Sequence, residues 1–221
     1  MKPAVAYTEH LVHIDAGRGV SLEGALAVPK GTTGLVLFAH GSGSSRHSPR
    51  NNFVAGVLRE AGLGTLLMDL LTKEEDTDYE TRFDIDLLTR RLAAATKWVL
   101  GQKETESLRI GYFGASTGAA AAIRASVTEG PAVGAVVSRG GRVDMAKEYL
   151  YKVTAPTMLI VGSDDDVVVE LNRASYELIS APKELVLIKG ATHLFEEPGT
   201  LEQAAEHAAK WFKKYLAPAG A

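Results

Sequence analysis

The sequence predicts an α/β fold, a mostly parallel eight-stranded sheet covered by helices on both faces. Three observations carry that expectation. Short runs such as Leu35 to Ala39 are apolar throughout, as strands covered on both faces must be. Segments with apolar residues at helical spacing alternate with these runs after an N-terminal hairpin. No insertion between strands is long enough for a large cap domain, and no repeat or low-complexity linker interrupts the chain. Its 221 residues therefore read as one domain over 1–221.

Each element has its own justification. Val5 to Ile14 and Val20 to Val28 are β-rich, and the turn-forming Asp15-Ala-Gly-Arg-Gly between them predicts an antiparallel hairpin. Leu35 to Ala39 is the third strand, followed by a loop and by Pro49, a residue suited to the first turn of a helix that runs to about Glu60. Gly64 to Asp69 is the next strand. The helix predicted from Phe83 to Leu100 sets Ile85, Leu88, Leu92 and Ala95 on one stripe. Strands at Leu108–Phe113, Ala132–Val137, Thr157–Val161 and Glu184–Ile188 each lead into a helical segment. The last, from Leu201 to Leu216, places Leu201, Ala205, Ala208, Phe212 and Tyr215 on one face. Crossovers in such a sheet are right-handed, and ligands bind beyond the carboxyl ends of its strands.

Composition removes several function classes. A hydrophobic content of 46% with 23% charged residues is that of an ordinary soluble globular protein. A net charge of -3 gives no reason to expect nucleic acid or an anionic membrane as partner. With no cysteine there is no disulfide, thiolate metal site or thiol nucleophile. The segment MKPAVAYTEHLVHID lacks the apolar run of a secretory signal, so a cytoplasmic protein is expected, as a monomer or small homo-oligomer.

The chemistry collects in the loops after the strands. Gly114-Ala115-Ser116-Thr117-Gly118 stands between the fifth strand and the Ala-rich stretch Ala119 to Ala125. A Gly-x-Ser-x-Gly in that place is a nucleophile elbow, a turn so tight that it holds the central hydroxyl out at the sheet's edge. A hydroxyl attacks only when a base takes its proton, and in this arrangement the acid and then the histidine follow in the chain. His193, in the loop after the eighth strand, stands where the base is required. The acid should follow the seventh strand, at Ser163-Asp164-Asp165-Asp166; Asp165 is the choice, its neighbours being solvated or capping a helix. An EF-hand reading of the three aspartates fails for want of the loop glycine and the distal glutamate.

Two backbone amides must hold the oxyanion. One should be that of Thr117, at a helix start, and the other that of Ser42 in His40-Gly41-Ser42-Gly43, with Gly41 the near alternative. The Gly-x-Gly of that loop faintly resembles a dinucleotide-binding fingerprint, but Arg46 stands where the third glycine belongs. Arg46 and Arg50 after the third strand, and Arg139 and Arg142 after the sixth, lie on the same face. Arg46, Arg139 and Arg142 are candidates for binding a substrate carboxylate, against the blander expectation of solvated charge or ion pairs with Asp69 or Asp144. The acidic run from Lys73 to Asp78 reads as a solvated loop. His10 and His13 fall on opposite faces of a strand, so with Glu9 they make no metal site.

Taken together, HGSGSS, GASTG, GSDDDV and GATHLF, in that order after the third, fifth, seventh and eighth strands, resemble the α/β-hydrolase superfamily. Within it the chain looks most like the compact dienelactone hydrolase-like group. The resemblance implies the α/β-hydrolase fold, Ser116 as nucleophile, Asp165 as acid, His193 as base, and the Ser42 and Thr117 amides as oxyanion donors, without metal or organic cofactor. Dienelactone hydrolases proper use a cysteine, whereas this chain has serine. That departure moves the expectation toward small or aromatic carboxylic esters cleaved through an acyl-serine. Lactone or thioester hydrolysis is the enzymatic alternative, and a binding protein that keeps the fold without catalysis is the alternative of another class.

Overall fold

The computed structural model describes residues 7–217. Strands β1 (Glu9–Asp15), β2 (Ser21–Ala27), β3 (Gly34–Ala39), β4 (Gly64–Met68), β5 (Arg109–Ala115), β6 (Val133–Arg139), β7 (Thr157–Gly162) and β8 (Lys183–Ile188) form one sheet in the order β1-β2-β4-β3-β5-β6-β7-β8. The β1–β2 hairpin is antiparallel and meets β4 antiparallel, and every pairing from β4 to β8 is parallel. Helices α1 (Pro49–Glu60), α2 (Ile85–Leu100), α3 (Thr117–Glu129), α4 (Lys147–Leu150), α5 (Asp166–Leu178) and α6 (Thr200–Leu216) link the strands. Among the described residues no helix is long and apolar enough to cross a membrane.

β3 shows why the sheet needs two covers. All six of its residues are buried, and alternate side chains point to opposite faces. Leu35, Leu37 and Ala39 join the core under α2 and α3, while Val36 and Phe38 join the core under α1 and α6. Phe38 and Phe113, neighbours across β3 and β5, stack at 5.0 Å within that second core.

Helix starts are set by local chemistry. Ser48 Oγ accepts the Asn51 N–H ahead of Pro49 and so opens α1. Asp84 Oδ1 accepts the Leu87 N–H, and this cap starts α2 at Ile85 rather than at the expected Phe83. Phe83 belongs instead to a short 3₁₀ turn, with its ring 5.0 Å from Tyr79. The first strand begins at Glu9; Val5 and Ala6, which the sequence placed in it, lie outside the described residues. The acidic run after β4 is more than a solvated loop: Glu75 accepts the Thr72 N–H and takes a 2.6 Å ion pair from the buried Arg91.

Candidate active site

The turn from β5 into α3 forces Ser116 to φ 49 and ψ -122, a left-handed φ that a side chain adopts only under constraint. The constraint is visible on both sides. The Ser116 N–H donates to the Arg139 carbonyl of β6 at 3.3 Å, and the Ser116 carbonyl accepts the Ala119 and Arg142 N–H groups at 3.1 and 3.0 Å. The flanking glycines permit the approach of α3. A Cβ on Gly118 would lie 2.1 Å from the Ala39 carbonyl oxygen, and one on Gly114 would lie 2.4 Å from the Ala119 Cα. Neither obstacle is a side chain that can move aside.

Asp165 and His193 come from the ends of β7 and β8 and meet at 2.6 Å between Oδ2 and Nδ1. A carboxylate there fixes the tautomer: Nδ1 carries the proton it donates to Asp165, which leaves the Nε2 lone pair free. The other aspartates are occupied differently. Asp164 accepts the Ser163 hydroxyl at 2.8 Å, and Asp166 sits in the first turn of α5. The loop bearing His193 is pinned by Thr192, whose N–H and hydroxyl both donate to Glu197 and hold that carboxyl below its ordinary pKa.

Ser116 and His193 line one cavity of about 200 Å³ with Gly41, Ser42, Ser44, Arg50 and Arg139. Their hydroxyl and imidazole share this space without a hydrogen bond between them. Such bonds are often long in resting sites and close when substrate arrives.

The loop after β3 is held by a contact that the sequence did not disclose. His40 is buried with its ring bonded on both sides: Nε2 accepts the Leu70 N–H at 3.0 Å, so Nδ1 carries the proton and donates to the Gly41 carbonyl at 2.9 Å. Burial pushes its pKa below the ordinary histidine value, and the neutral ring acts as a clamp. The clamped carbonyl belongs to the same peptide as the Ser42 N–H. That N–H, the expected oxyanion donor, is spoken for: it donates to Thr117 Oγ1 at 3.0 Å.

The three candidate arginines separate cleanly. Arg46 pairs with Asp69 at 2.5 Å and Glu23 at 2.6 Å and faces a neighbouring cavity. Arg142 makes a two-pronged pair with Asp144, both contacts at 2.9 Å, which raises its pKa. Both stand outside the lining of the cavity that holds Ser116, each paired with carboxylates of the chain itself, which is the blander of the two expectations. Arg139 alone of the three lines the cavity of Ser116. Arg50 joins it there, its side chain 3.1 Å from the exposed Glu196.

Known proteins share this architecture. A crystal structure of dienelactone hydrolase from Anabaena variabilis superposes with a TM-score of 0.93 at 52% identity, covering 96% of this chain and 99% of that one. An esterase of Pyrococcus furiosus matches with a TM-score of 0.81 at 21% identity, over 96% of this chain and 93% of its own, a likeness of fold. A putative phosphoribosyl transferase of Mycobacterium tuberculosis is 54% identical over 201 residues, 91% of this chain but 45% of that protein. The chain thus spans under half the length of that curated relative. The profile of the dienelactone hydrolase family matches residues 23–219, from the second strand through the last helix. With that match covering both the strained serine and the Asp165–His193 pair, the chain belongs to the dienelactone hydrolase family.

Proposed function

We propose that this hydrolase-family protein is a serine esterase acting on small carboxylic esters through an acyl-Ser116 intermediate. The observation that carries the reading is the 2.6 Å contact of Asp165 with His193, beside a serine held at φ 49 in the same cavity. His193 Nε2 takes the hydroxyl proton as Ser116 attacks the ester carbonyl, and Asp165 stabilises the imidazolium. The Thr117 amide, at the first position of α3, faces the developing oxyanion with the helix dipole behind it. The Ser42 amide joins when the Thr117 hydroxyl releases it. His193 then protonates the departing alcohol, and water attacks the acyl group by the same route.

The same machinery opens lactones and thioesters. A fluorophosphonate probe and a 4-nitrophenyl ester series test the proposal. Labelling and turnover should both vanish in Ser116→Ala while the fold survives, since the elbow accepts a smaller side chain. Turnover that persists at the original rate in Ser116→Ala would remove the serine from the mechanism.

A further inference from the structure

The cavity beside Ser116 holds a cation for which ester cleavage alone has no use. Arg139 ends β6, paired in register with Ala115, so its carbonyl braces the nucleophile while its side chain enters the cavity. The residue is 6% exposed. Its Nε has neither solvent nor a hydrogen-bond partner, and its Nη2 reaches Asn51 Oδ1 only at 3.4 Å. No carboxylate among the described residues pairs with it. Burial, and Arg50 beside it, pull its pKa down to about 10, which still leaves it charged at neutral pH. The buried Phe195 ring supports the guanidinium at 5.5 Å. Arg59, Arg91 and Arg124 also leave Nε unpartnered, but each of them has a carboxylate at a terminal nitrogen, which Arg139 lacks; its charge is answered by one long contact to Asn51 and by the cavity it lines.

The rest of the cavity wall is built for an anion. No Asp or Glu lines it. Ser48, Arg50 and Asn51, which cap and open α1, present the positive end of a twelve-residue helix to it. In that first turn Pro49 has no N–H and Ser48 Oγ takes that of Asn51, which leaves the Arg50 amide without an intrahelical partner. Ser42 and Ser44 complete the wall.

We propose that this cavity binds a phosphate group of the substrate, so that the ester opened at Ser116 belongs to a phosphorylated compound. The inference rests on the esterase reading above. Phosphate is favoured over a single carboxylate on charge and on the number of donors. Two guanidinium groups and a helix end answer a dianion better than a monoanion, and the lining drawn from β6, α1 and the loop after β3 offers more donors than one planar carboxylate can use. Glu196, exposed on the loop that follows His193, holds Arg50 until the dianion replaces it.

Three 4-nitrophenyl esters of matched chain length, those of butanoic, succinic and 3-phosphonopropanoic acid, test the assignment. The phosphonate ester should exceed the butanoate by about tenfold or more in kcat/KM, with the succinate between. Inorganic phosphate should raise KM for the butanoate ester without lowering kcat. In Arg139→Met the phosphonate-to-butanoate ratio should collapse toward one; Arg50→Gln, a change at the cavity mouth, should lower it less and guards against a misfolded Arg139 variant. Phosphate should also raise the Tm of wild type and of Ser116→Ala above that in chloride of equal ionic strength, and not that of Arg139→Met. Equal rates for the three esters, a preference for the succinate, or no phosphate effect on KM and Tm would overturn the assignment. If no ester turns over and Ser116 resists the fluorophosphonate, the esterase reading fails, and the Tm arm still decides on phosphate.

Discussion

Thr117→Val makes the sharpest test of the oxyanion geometry. The change keeps the shape of a residue that is only 3% exposed and deletes the hydroxyl that accepts the Ser42 N–H at 3.0 Å. If Ser42 must leave that hydroxyl to serve the oxyanion, each turnover breaks one neutral hydrogen bond, whose net worth is about 0.5–1.5 kcal/mol. Removing the competitor should return that amount in the transition state, a gain of about 2- to 12-fold in kcat/KM. The resting protein should lose a comparable amount of stability, roughly 1 to 6 °C in Tm for a chain of this size. Steady-state hydrolysis of 4-nitrophenyl acetate and a thermal melt read the two effects together. A fall in kcat/KM of tenfold or more, with the melt little changed, would show that the hydroxyl positions the Ser42 amide for catalysis and does not compete for it.

Two further outcomes follow from the site. Asp165→Asn should reduce kcat by about 10³- to 10⁴-fold, because an amide no longer fixes the tautomer or stabilises the imidazolium, whereas Asp164→Asn should leave it nearly unchanged; equal losses at both positions in ester-hydrolysis kinetics would contradict the 2.6 Å contact as the working one. His40 gives a pH dependence of stability. Its folded pKa is depressed by burial, so the unfolded chain binds the proton more readily, and stability should drop as pH falls from about 6.5 toward the lower folded value. Urea melts at about pH 5 and about pH 7.5 should show that slope, and His40→Gln should flatten it.

The elbow and the order of the motifs were legible because they are written in local chemistry: a Gly-x-Ser-x-Gly after an apolar run has few ways to fold. That the sheet is mostly parallel followed from strand–helix alternation, whereas the order of its strands did not. What stayed hidden depended on contacts between distant residues. Which arginine remains unpaired turns on Glu23, Asp69 and Asp144, and the sequence cannot say that the guanidinium of Arg139 finds none of them. The engagement of Ser42 by Thr117 spans 75 residues. Glu75 looked like part of a solvated run until α2 brought Arg91 to it, 16 residues on. The choice among three adjacent aspartates likewise rests on the loop path after β7, which pins Asp164 N–H to the Ala191 carbonyl at 3.0 Å and turns Asp165 toward the ring.

Position 139 does two jobs with separable parts. Its main chain steadies the turn of Ser116 through a carbonyl that every amino acid possesses, whereas its side chain lines the cavity. Replacing that side chain therefore changes what the cavity wall presents and keeps the bracing carbonyl in the chain. A single codon can thus change the charge of the cavity wall without removing the group that braces Ser116.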